Sequence, residues 1–504
     1  MIRQGTKTLG LKPGADPGEE ERLIGVTERL RSELAHLEGE SRAAERARRL
    51  QGSPIPAPKP AVGELRKELE RAEAQAAALA LPNGLDQALS RLAASPLQTR
   101  VALEGIFLQS TFPRDRLREW VDLMASAIAA PRLRNFHRTL QAKVLGEKTR
   151  STSSLNRLDE TLMALAFAGT PTWLPGEIGP AGLGNVRRSD VAEFHRKWIT
   201  PGRITLVLVG DIDWPTLQPE LQASFGSWQV DGSMGSLLAP IPPEMNGERR
   251  FILDAEAPAP AFEIGWQVPA TGHSDHAAID MLAGILGLGR SSRLHRDLVD
   301  SAGIASQAQV EVRDFIPGEA ALLTLSVQAK GDSGTGELGT GIVRNIEQLR
   351  ATEPLQEELD RVVALRRLEA ARISEDPERL ALSLASASCR IGDPGGFTHR
   401  VTRLQGVTPA QVRQAAVAYL NEANRTIGAL RRPKDLADMA EAKEIDEKIR
   451  AALLQIIGRQ IKDEKQLEDA LMGQMTMIRR LPLAEKRRIL TELGTQLRAP
   501  ESKP

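Results

Sequence analysis

Arg188-Ser189-Asp190-Val191 opens the segment that decides the fold, which continues through Phe194, Trp198 and Pro201 into Ile204-Thr205-Leu206-Val207-Leu208-Val209-Gly210-Asp211. The same pattern returns without a gap in Thr408-Pro409-Ala410-Gln411-Val412, Ala415, Tyr419, Asn421 and Arg425-Thr426-Ile427-Gly428-Ala429-Leu430. Each copy predicts a capped amphipathic helix that ends in an aromatic residue, then a short polar turn and a β-branched strand. The chain is therefore predicted to be a duplicated α+β unit.

The second copy shows what a complete unit contains. Phe262 to Trp266 predicts a strand, Ser274 or Asp275 caps a helix that runs through Ile279, Leu282 and Leu286, and a glycine turn follows at Gly287 to Leu294. In the first half the matching turn is Gly5 to Gly10, so almost nothing precedes it. We therefore expect the first half to lack its opening strands and its first helix.

Four motifs carry a resemblance to a known family. They are Ser189-Asp190-Val191-x-x-Phe194-His195-x-x-Trp198, Val207-x-Val209-Gly210-Asp211-Ile212, Phe225-Gly226-x-Trp228 and Gly289-Arg290-Ser291-Ser292-Arg293-Leu294. In this order they resemble the insulinase, pitrilysin and mitochondrial processing peptidase family of zinc peptidases. The opening Met1 to Thr8 resembles the stretch that follows this family's inverted zinc motif, H-x-x-E-H. The resemblance spans most of residues 1–435, apart from one insertion.

Composition agrees with a globular protein. The chain has 504 residues, of which 41% are apolar, enough for two or three domains with cores. Its formal net charge is zero and its charges are interspersed, which argues against nucleic acid or a membrane surface as a partner. No signal peptide is visible, so we expect a soluble chain as written, with a periplasmic location open if the start lies upstream. Cys389 is the single cysteine, so an internal disulfide is excluded.

The pattern divides the chain into four parts. Residues 1–230 form an incomplete peptidase-like half with a helical-hairpin insertion at about 19–80, 231–247 a linker, 248–435 a second half, and 436–504 a helical tail. The insertion carries the stripes Leu23, Val26, Leu30, Leu34, Leu37 and Leu65, Leu69, Ala72, Ala76, Leu79. It is either a partner-binding arm or a self-packed decoration, and we favour the second. The tail is expected to cap the second half or to join the hairpin.

The resemblance implies a zinc site made of two histidines, a distant glutamate and an open position for water, with a further glutamate as general base. The motif H-x-x-E-H occurs nowhere in this chain. His36 has no second imidazole beside it and is interpreted as a solvated residue, and His273 and His276 are interpreted as part of a helix cap. We therefore predict no catalytic residue and no cofactor, unless an upstream segment supplies the motif.

The resemblance places the third metal ligand on the helix that starts at Phe136, where Glu147 is the one candidate, or Gly146 after a one-residue shift. Other positions depart from the pattern of active relatives. The glutamate expected two turns earlier falls on Thr139 or Leu140, an Asn-Ala pair on Gln98-Thr99, and a substrate-holding tyrosine on Ala305; the chain has one tyrosine, Tyr419. A start placed too far downstream would not produce these departures.

Three functions remain open. We favour a peptidase-like clamshell without zinc, which binds peptides or joins a complete sister subunit, or itself if none is present. The first alternative is a zinc endopeptidase whose catalytic helix lies upstream of Met1, with Glu147 as third ligand. The second is a structural scaffold that works through its hairpin and tail. Serine-hydrolase and nucleotide-binding motifs are absent from the sequence.

Overall fold

Helices surround a five-stranded and a two-stranded sheet in the part of the chain that the structure describes. This computed structural model describes residues 5–7, 9–50, 60–102, 104–168, 182–226, 228, 245–316, 320–331, 333–458, 461, 464–478, 481 and 483–498. We call residues 5–228 the N-terminal region, residues 245–431 the C-terminal region, and residues 433–498 the tail. Most of the predicted linker lies outside the described residues.

Six α-helices and two strands are described between residues 5 and 168 of the N-terminal region. They are α1 (Pro17–Leu50), α2 (Pro60–Leu79), α3 (Gly84–Arg91), β1 (Gln98–Ala102), β2 (Gly105–Gln109), α4 (Leu117–Ala129), α5 (Phe136–Ser151) and α6 (Ser154–Ala166). Two more helices, α7 (Arg188–Trp198) and α8 (Trp214–Phe225), complete this region as far as it is described.

The C-terminal region holds five strands and six α-helices among its described residues, besides the short π-helix His295–Ser301. They are β3 (Arg249–Asp254), β4 (Ala261–Pro269), α9 (His276–Gly287), β5 (Ala305–Ile316), β6 (Ala320–Ala329), α10 (Thr335–Ala351), α11 (Gln356–Ser374), α12 (Pro377–Ile391), α13 (Gly396–Gln405), α14 (Pro409–Tyr419) and β7 (Arg425–Arg431). The tail forms α15 (Pro433–Ile457), α16 (Glu464–Ile478) and α17 (Leu483–Arg498).

The sheet of the C-terminal region has the strand order β3-β7-β4-β6-β5. The β3–β7 pair is parallel and the other pairs are antiparallel. Side chains alternate between faces along each strand, and Ile264, Trp266 and Val268 of β4 point into a core shared with α9, α10 and α14. The predicted strand Phe262–Trp266 and the predicted helix after Asp275 are therefore both present in this region.

The other face of this sheet is covered by α6, a helix of the N-terminal region. Leu162 is fully buried and packs with Leu322 of β6. Glycines on the sheet allow the close approach, since a Cβ at Gly265 would lie 3.1 Å from a methyl of Leu162, and one at Gly428 would lie 3.0 Å from a methyl of Leu158. The contact extends to the polar edge, where Gln267 Nε2 donates to the carbonyl of Ala166 at 2.6 Å.

The two segments that repeat in the sequence adopt matching elements up to the strand. Helix α7 and the 3-10 turn Pro201–Arg203 have the same lengths as α14 and the turn Glu422–Asn424, and each boundary lies 221 residues further along. The next residues differ, because β7 is a paired strand whereas Ile204–Val209 is not in a sheet. The prediction of a strand at Ile204–Val209 is therefore wrong: its β-branched sequence favours an extended chain, but a strand also needs a neighbour to pair with.

The insertion is a hairpin of α1 and α2 whose leucines face each other. Leu30, Leu65, Leu69 and Ala72 form its buried core, with Val26, Leu34 and Leu37 packed beside them. At its base, Glu20 and Arg134 form an ion pair with 2% and 1% of their side chains exposed. The contacts of these residues agree with the interpretation of the insertion as a self-packed hairpin.

The tail also packs on itself. Its core is made of Ile445, Ile449, Leu453, Leu471 and Met475, with Ile457, Ile478, Leu483, Ile489, Leu490 and Leu493 beside them. These residues come from all three helices of the tail, so the expectation that its apolar faces cap the second half or join the hairpin is wrong for them. The apolar faces of the three tail helices thus pack against one another.

Candidate functional site

Glu147 lies on α5, and its carboxylate is engaged by an arginine one turn further along. Arg150 donates from Nε and Nη2 to the two carboxylate oxygens of Glu147 at 3.2 and 3.1 Å. The same guanidinium lies 2.6 Å from Glu160. A guanidinium in this place repels a divalent cation, so the residues around Glu147 do not fit a zinc ion.

The histidines singled out in the sequence contact residues other than Glu147. His36 is exposed, with its nearest carboxylate, Glu40, at 3.8 Å. Nδ1 of His273 accepts from the backbone N–H of Asp275 at 3.1 Å. His276 is the first residue of α9 and contacts Thr271 Oγ1 at 3.3 Å. Among the described residues, no three His, Cys, Asp or Glu side chains are grouped closely enough to hold a metal ion.

The structure places the other departures from the family pattern at separate sites. Gln98 and Thr99 begin β1 and are exposed, and Thr139 and Leu140 lie on α5. Ala305 is fully buried at the start of β5. Met1 to Gln4 and Thr8 lie outside the described residues.

Tyr419, the last residue of α14, fastens that helix to the start of α9. Its hydroxyl donates to Asp275 Oδ2 at 2.7 Å. Partial burial and the neighbouring Asp275 carboxylate raise the pKa of Tyr419 to about 12. Tyr419 therefore keeps its proton at neutral pH and acts as a fixed hydrogen-bond donor.

A cavity with both charged and apolar lining, which the sequence reasoning missed, lies between α9, α11, α12 and α13, with Arg100 of β1 at its edge. Its volume is about 330 Å³. Asp280 on α9 is buried at its floor, and Arg400 donates to both of its oxygens at 2.6 Å. Burial opposes ionisation of Asp280, but the hydrogen bonds from Arg400 and the charge of Arg366 outweigh it and lower its pKa. A single aspartate inside the apolar stretch Ile279 to Leu286 was the sequence signal for such a buried pair.

A second polar group lies under α6, on the opposite face of the sheet. Glu263 of β4 is almost fully buried and accepts from Ser326 Oγ at 2.7 Å. Burial, together with the charge of Asp159, raises the pKa of Glu263 to about 7. Asp159 itself forms a bidentate ion pair with Arg313 of β5, at 3.0 and 2.5 Å. This cluster connects α6 to the sheet through charge as well as packing.

The fold and these departures together define a peptidase-like α+β protein. Residues 185–365 match the family described as the peptidase M16 inactive domain. The resemblance to the insulinase-like zinc peptidases is thereby confirmed, and this part of the chain corresponds to a domain of the family that is described as inactive.

Curated relatives match over a similar share of the chain. The chain is 28% identical over 186 residues to "Zinc protease PqqE" of Helicobacter pylori, which is 34% of this chain and 39% of that protein. It is 26% identical over 154 residues to an uncharacterized zinc protease of Mycobacterium bovis, 29% of this chain and 34% of that protein. The matches therefore span well under half of the length of these relatives.

Solved structures share the fold over a larger part of the chain. A protease from Helicobacter pylori superimposes with a TM-score of 0.63 at 20% identity, over 70% of this chain and 85% of that one. A peptidase M16 inactive domain from Pseudomonas fluorescens superimposes with a TM-score of 0.59 at 16% identity, over 69% of this chain and 83% of that one. At this level of identity the likeness establishes the fold alone.

Proposed function

We propose that this chain is a non-catalytic member of the peptidase family, which acts as a peptide-binding or partner subunit of an active zinc peptidase. The observation that supports this most is the state of Glu147, whose carboxylate is held by Arg150 in the place where the family pattern expects a metal ligand. The missing histidine motif and the replacements at Gln98-Thr99, Thr139 and Ala305 point the same way.

The proposal includes an ancestral duplication, with the first unit incomplete. The common offset of 221 residues between α7 and α14, and between the turns that follow them, supports this relation. On this view Ile204–Val209 corresponds to β7, although it pairs with no strand among the described residues.

Metal analysis of the purified chain tests the absence of a catalytic centre. We expect well under one zinc per chain and no cleavage of unstructured peptides, for the chain itself and for the matched variants Glu147→Ala and Glu353→Ala. About one zinc per chain, lost in Glu147→Ala and kept in Glu353→Ala, would contradict the proposal.

The first alternative is a zinc endopeptidase completed by residues upstream of Met1. It is favoured by the curated relatives, which are described as zinc proteases. The coding sequence immediately upstream decides between the two: an in-frame H-x-x-E-H would give a chain that binds zinc when expressed with it. The scaffold alternative predicts neither zinc nor peptide binding.

The partner role is proposed to use the N-terminal region. Val101 and Ile106 face each other across the β1–β2 pair and are 75% and 49% exposed, which leaves an exposed apolar pair on a two-stranded sheet. The leucines of the hairpin core are a poorer test, because Leu30 is already buried against α2. An aspartate there would disrupt the hairpin itself.

Co-purification with a complete family member tests this surface. We expect stable association, or self-association when no relative is present, and weaker association for Val101→Asp. Leu145→Asp is the matched control, because Leu145 is 66% exposed on α5, away from this sheet. A chain that stays monomeric at micromolar concentration and ignores the relative would refute the partner role.

A further inference from the structure

The cavity of about 330 Å³ next to Asp280 lies at the lower end of the size range of small-molecule sites. It opens between α11, α12 and α13, and none of its residues belongs to the proposed remnant at Glu147 or to the exposed pair on β1 and β2. Five arginines line it, together with the carboxylates of Asp280 and Glu369. Some of these arginines are paired with a carboxylate at short range and others are not, and this difference indicates the kind of ligand that the cavity fits.

The floor of the cavity is neutralised by its own ion pairs. Arg400 is bidentate to Asp280 at 2.6 Å, and Arg366 lies 2.8 Å from Glu369 and 3.4 Å from Asp280. Two arginines therefore face two carboxylates at short range. These pairs offset one another's charge and leave little attraction for an anion there, although Nε of Arg366 is buried without a hydrogen-bond partner among the described residues.

The rim is held much more loosely. Arg390 reaches Glu104 only at 3.5 Å and Asp314 only at 3.4 Å. Arg403 donates to the carbonyl of Gly396 at 3.3 Å, and no described carboxylate pairs with it. Arg100 lies over the ring of Phe107 at 5.9 Å, and it too has no ion pair among the described residues.

A guanidinium carries five N–H donors, so these three rim arginines offer more donors than their neighbours accept. Arg100 and Arg403 are exposed and thus pay little desolvation when a ligand arrives. Glu104 and Asp314 offset the charge of Arg390, so the uncompensated positive charge of the rim comes from Arg100 and Arg403, which suits one negative charge at the mouth of the cavity.

The walls between rim and floor are apolar. Ile373 of α11, Leu382 and Ile391 of α12, and Phe397 of α13 line them, all of them half-buried. A phosphate or sulfate ion would leave these side chains facing water. A ligand with an apolar body covers them, and its charged end stays at the rim.

We propose that this cavity binds a carboxylate carried on a small apolar group, with Arg403, Arg390 and Arg100 pairing the carboxylate and the apolar walls enclosing the rest. The same chemistry occurs at the C-terminal residue of a peptide and in a short fatty acid. Because Arg100 belongs to β1 and the other groups belong to helices of the C-terminal region, a bound carboxylate also connects the two regions.

Titration calorimetry of the full chain with N-acetyl-leucine tests the proposal. Its neutral match is N-acetyl-leucine amide, and hexanoate represents the fatty-acid source. We expect N-acetyl-leucine or hexanoate to bind at least about tenfold more tightly than the amide, as expected for charged hydrogen bonds. Preference for N-acetyl-leucine indicates a peptide source, and preference for hexanoate indicates a fatty acid.

Variants locate the binding to the rim. Arg403→Gln and Arg100→Gln should each weaken carboxylate binding several-fold and leave the melting temperature unchanged, because both side chains are exposed. Arg118→Gln, an exposed arginine of α4 outside the cavity, is the matched control and should bind as the unchanged chain does. Equal binding of acid and amide, no binding of either acid at millimolar concentration, or binding that survives both rim variants would overturn the proposal.

Discussion

Replacing Leu162 by alanine tests whether α6 is part of the core of the C-terminal region. Leu162 is fully buried against Leu322 of β6 and lies next to Gly265 of β4. Truncation of a buried leucine costs about 2–5 kcal/mol of the free energy of unfolding, depending on how far the cavity collapses. Alanine is the best helix former, so this loss reports packing and not helix propensity.

Hydrogen exchange followed by mass spectrometry gives the site of the loss. If α6 and the sheet unfold together, protection of the β6 amides should fall by the same 2–5 kcal/mol, which is a factor of about 30 to 5,000 in exchange rate. The matched control is Leu145→Ala on α5, whose side chain is 66% exposed and whose truncation should cost well under 1 kcal/mol.

The reasoning is refuted if β6 keeps its protection in Leu162→Ala while the amides of α6 lose theirs. That result would mean that α6 lies on the sheet as a detachable helix, with the stability of the sheet supplied by the layer of α9, α10 and α14 alone. A loss no larger than that of the control would also refute it.

Three further predictions concern charge and pairing. In the folded chain the pKa of Glu263 is raised from 4.5 to about 7, so between these pH values the folded chain holds a proton that the unfolded chain has lost. The free energy of unfolding should therefore fall by up to about 3 kcal/mol as the pH rises from 4.5 to 7. Glu263→Gln should remove this pH dependence in urea titrations. Arg134→Ala leaves Glu20 buried without its partner, and should loosen the base of the hairpin by about 3–5 kcal/mol in thermal melts or limited proteolysis. Amides of residues 204–209 should exchange faster than those of residues 322–327, which lie in a strand paired on both sides.

Each of these has a control and an opposing outcome. Glu311→Gln changes a carboxylate on the same sheet that is 65% exposed, and should keep the pH slope that Glu263→Gln removes. Arg66→Ala breaks an exposed pair with Glu38 and should cost under about 1 kcal/mol. A slope that survives in Glu263→Gln, a loss in Arg134→Ala as small as in Arg66→Ala, or equal exchange in the two strand segments would each contradict the corresponding argument.

Local patterns predicted local elements well. The period of the apolar residues gave the hairpin of α1 and α2, the helices of the tail, and β4 followed by α9, because each of these depends on which face of one segment is apolar. The strand at Ile204–Val209 failed because pairing depends on a second segment. β-branched residues indicate that a segment can be extended, and they carry no information on whether a neighbour exists.

The cavity and the position of α6 could not be predicted for a related reason. Leu158, Leu162 and Ala166 mark an apolar face on a helix, but many surfaces of the chain could accept that face. The arginines around Asp280 come from α11 and α13, some 86 and 120 residues away in the chain, and no spacing rule brings them together. Asp280 itself is visible as an unusual charge in an apolar helix, and its partners are not.

The placement of α6 has a mechanical consequence. Any opening of the two regions like a hinged shell would have to keep α6 on the sheet it covers, since pulling it away exposes Leu158, Leu162 and Ala166 at once. In a rigid-body description α6 therefore travels with β3 to β7, although it precedes them by about a hundred residues. The boundary between such moving bodies therefore differs from the boundary that the order of the sequence suggests.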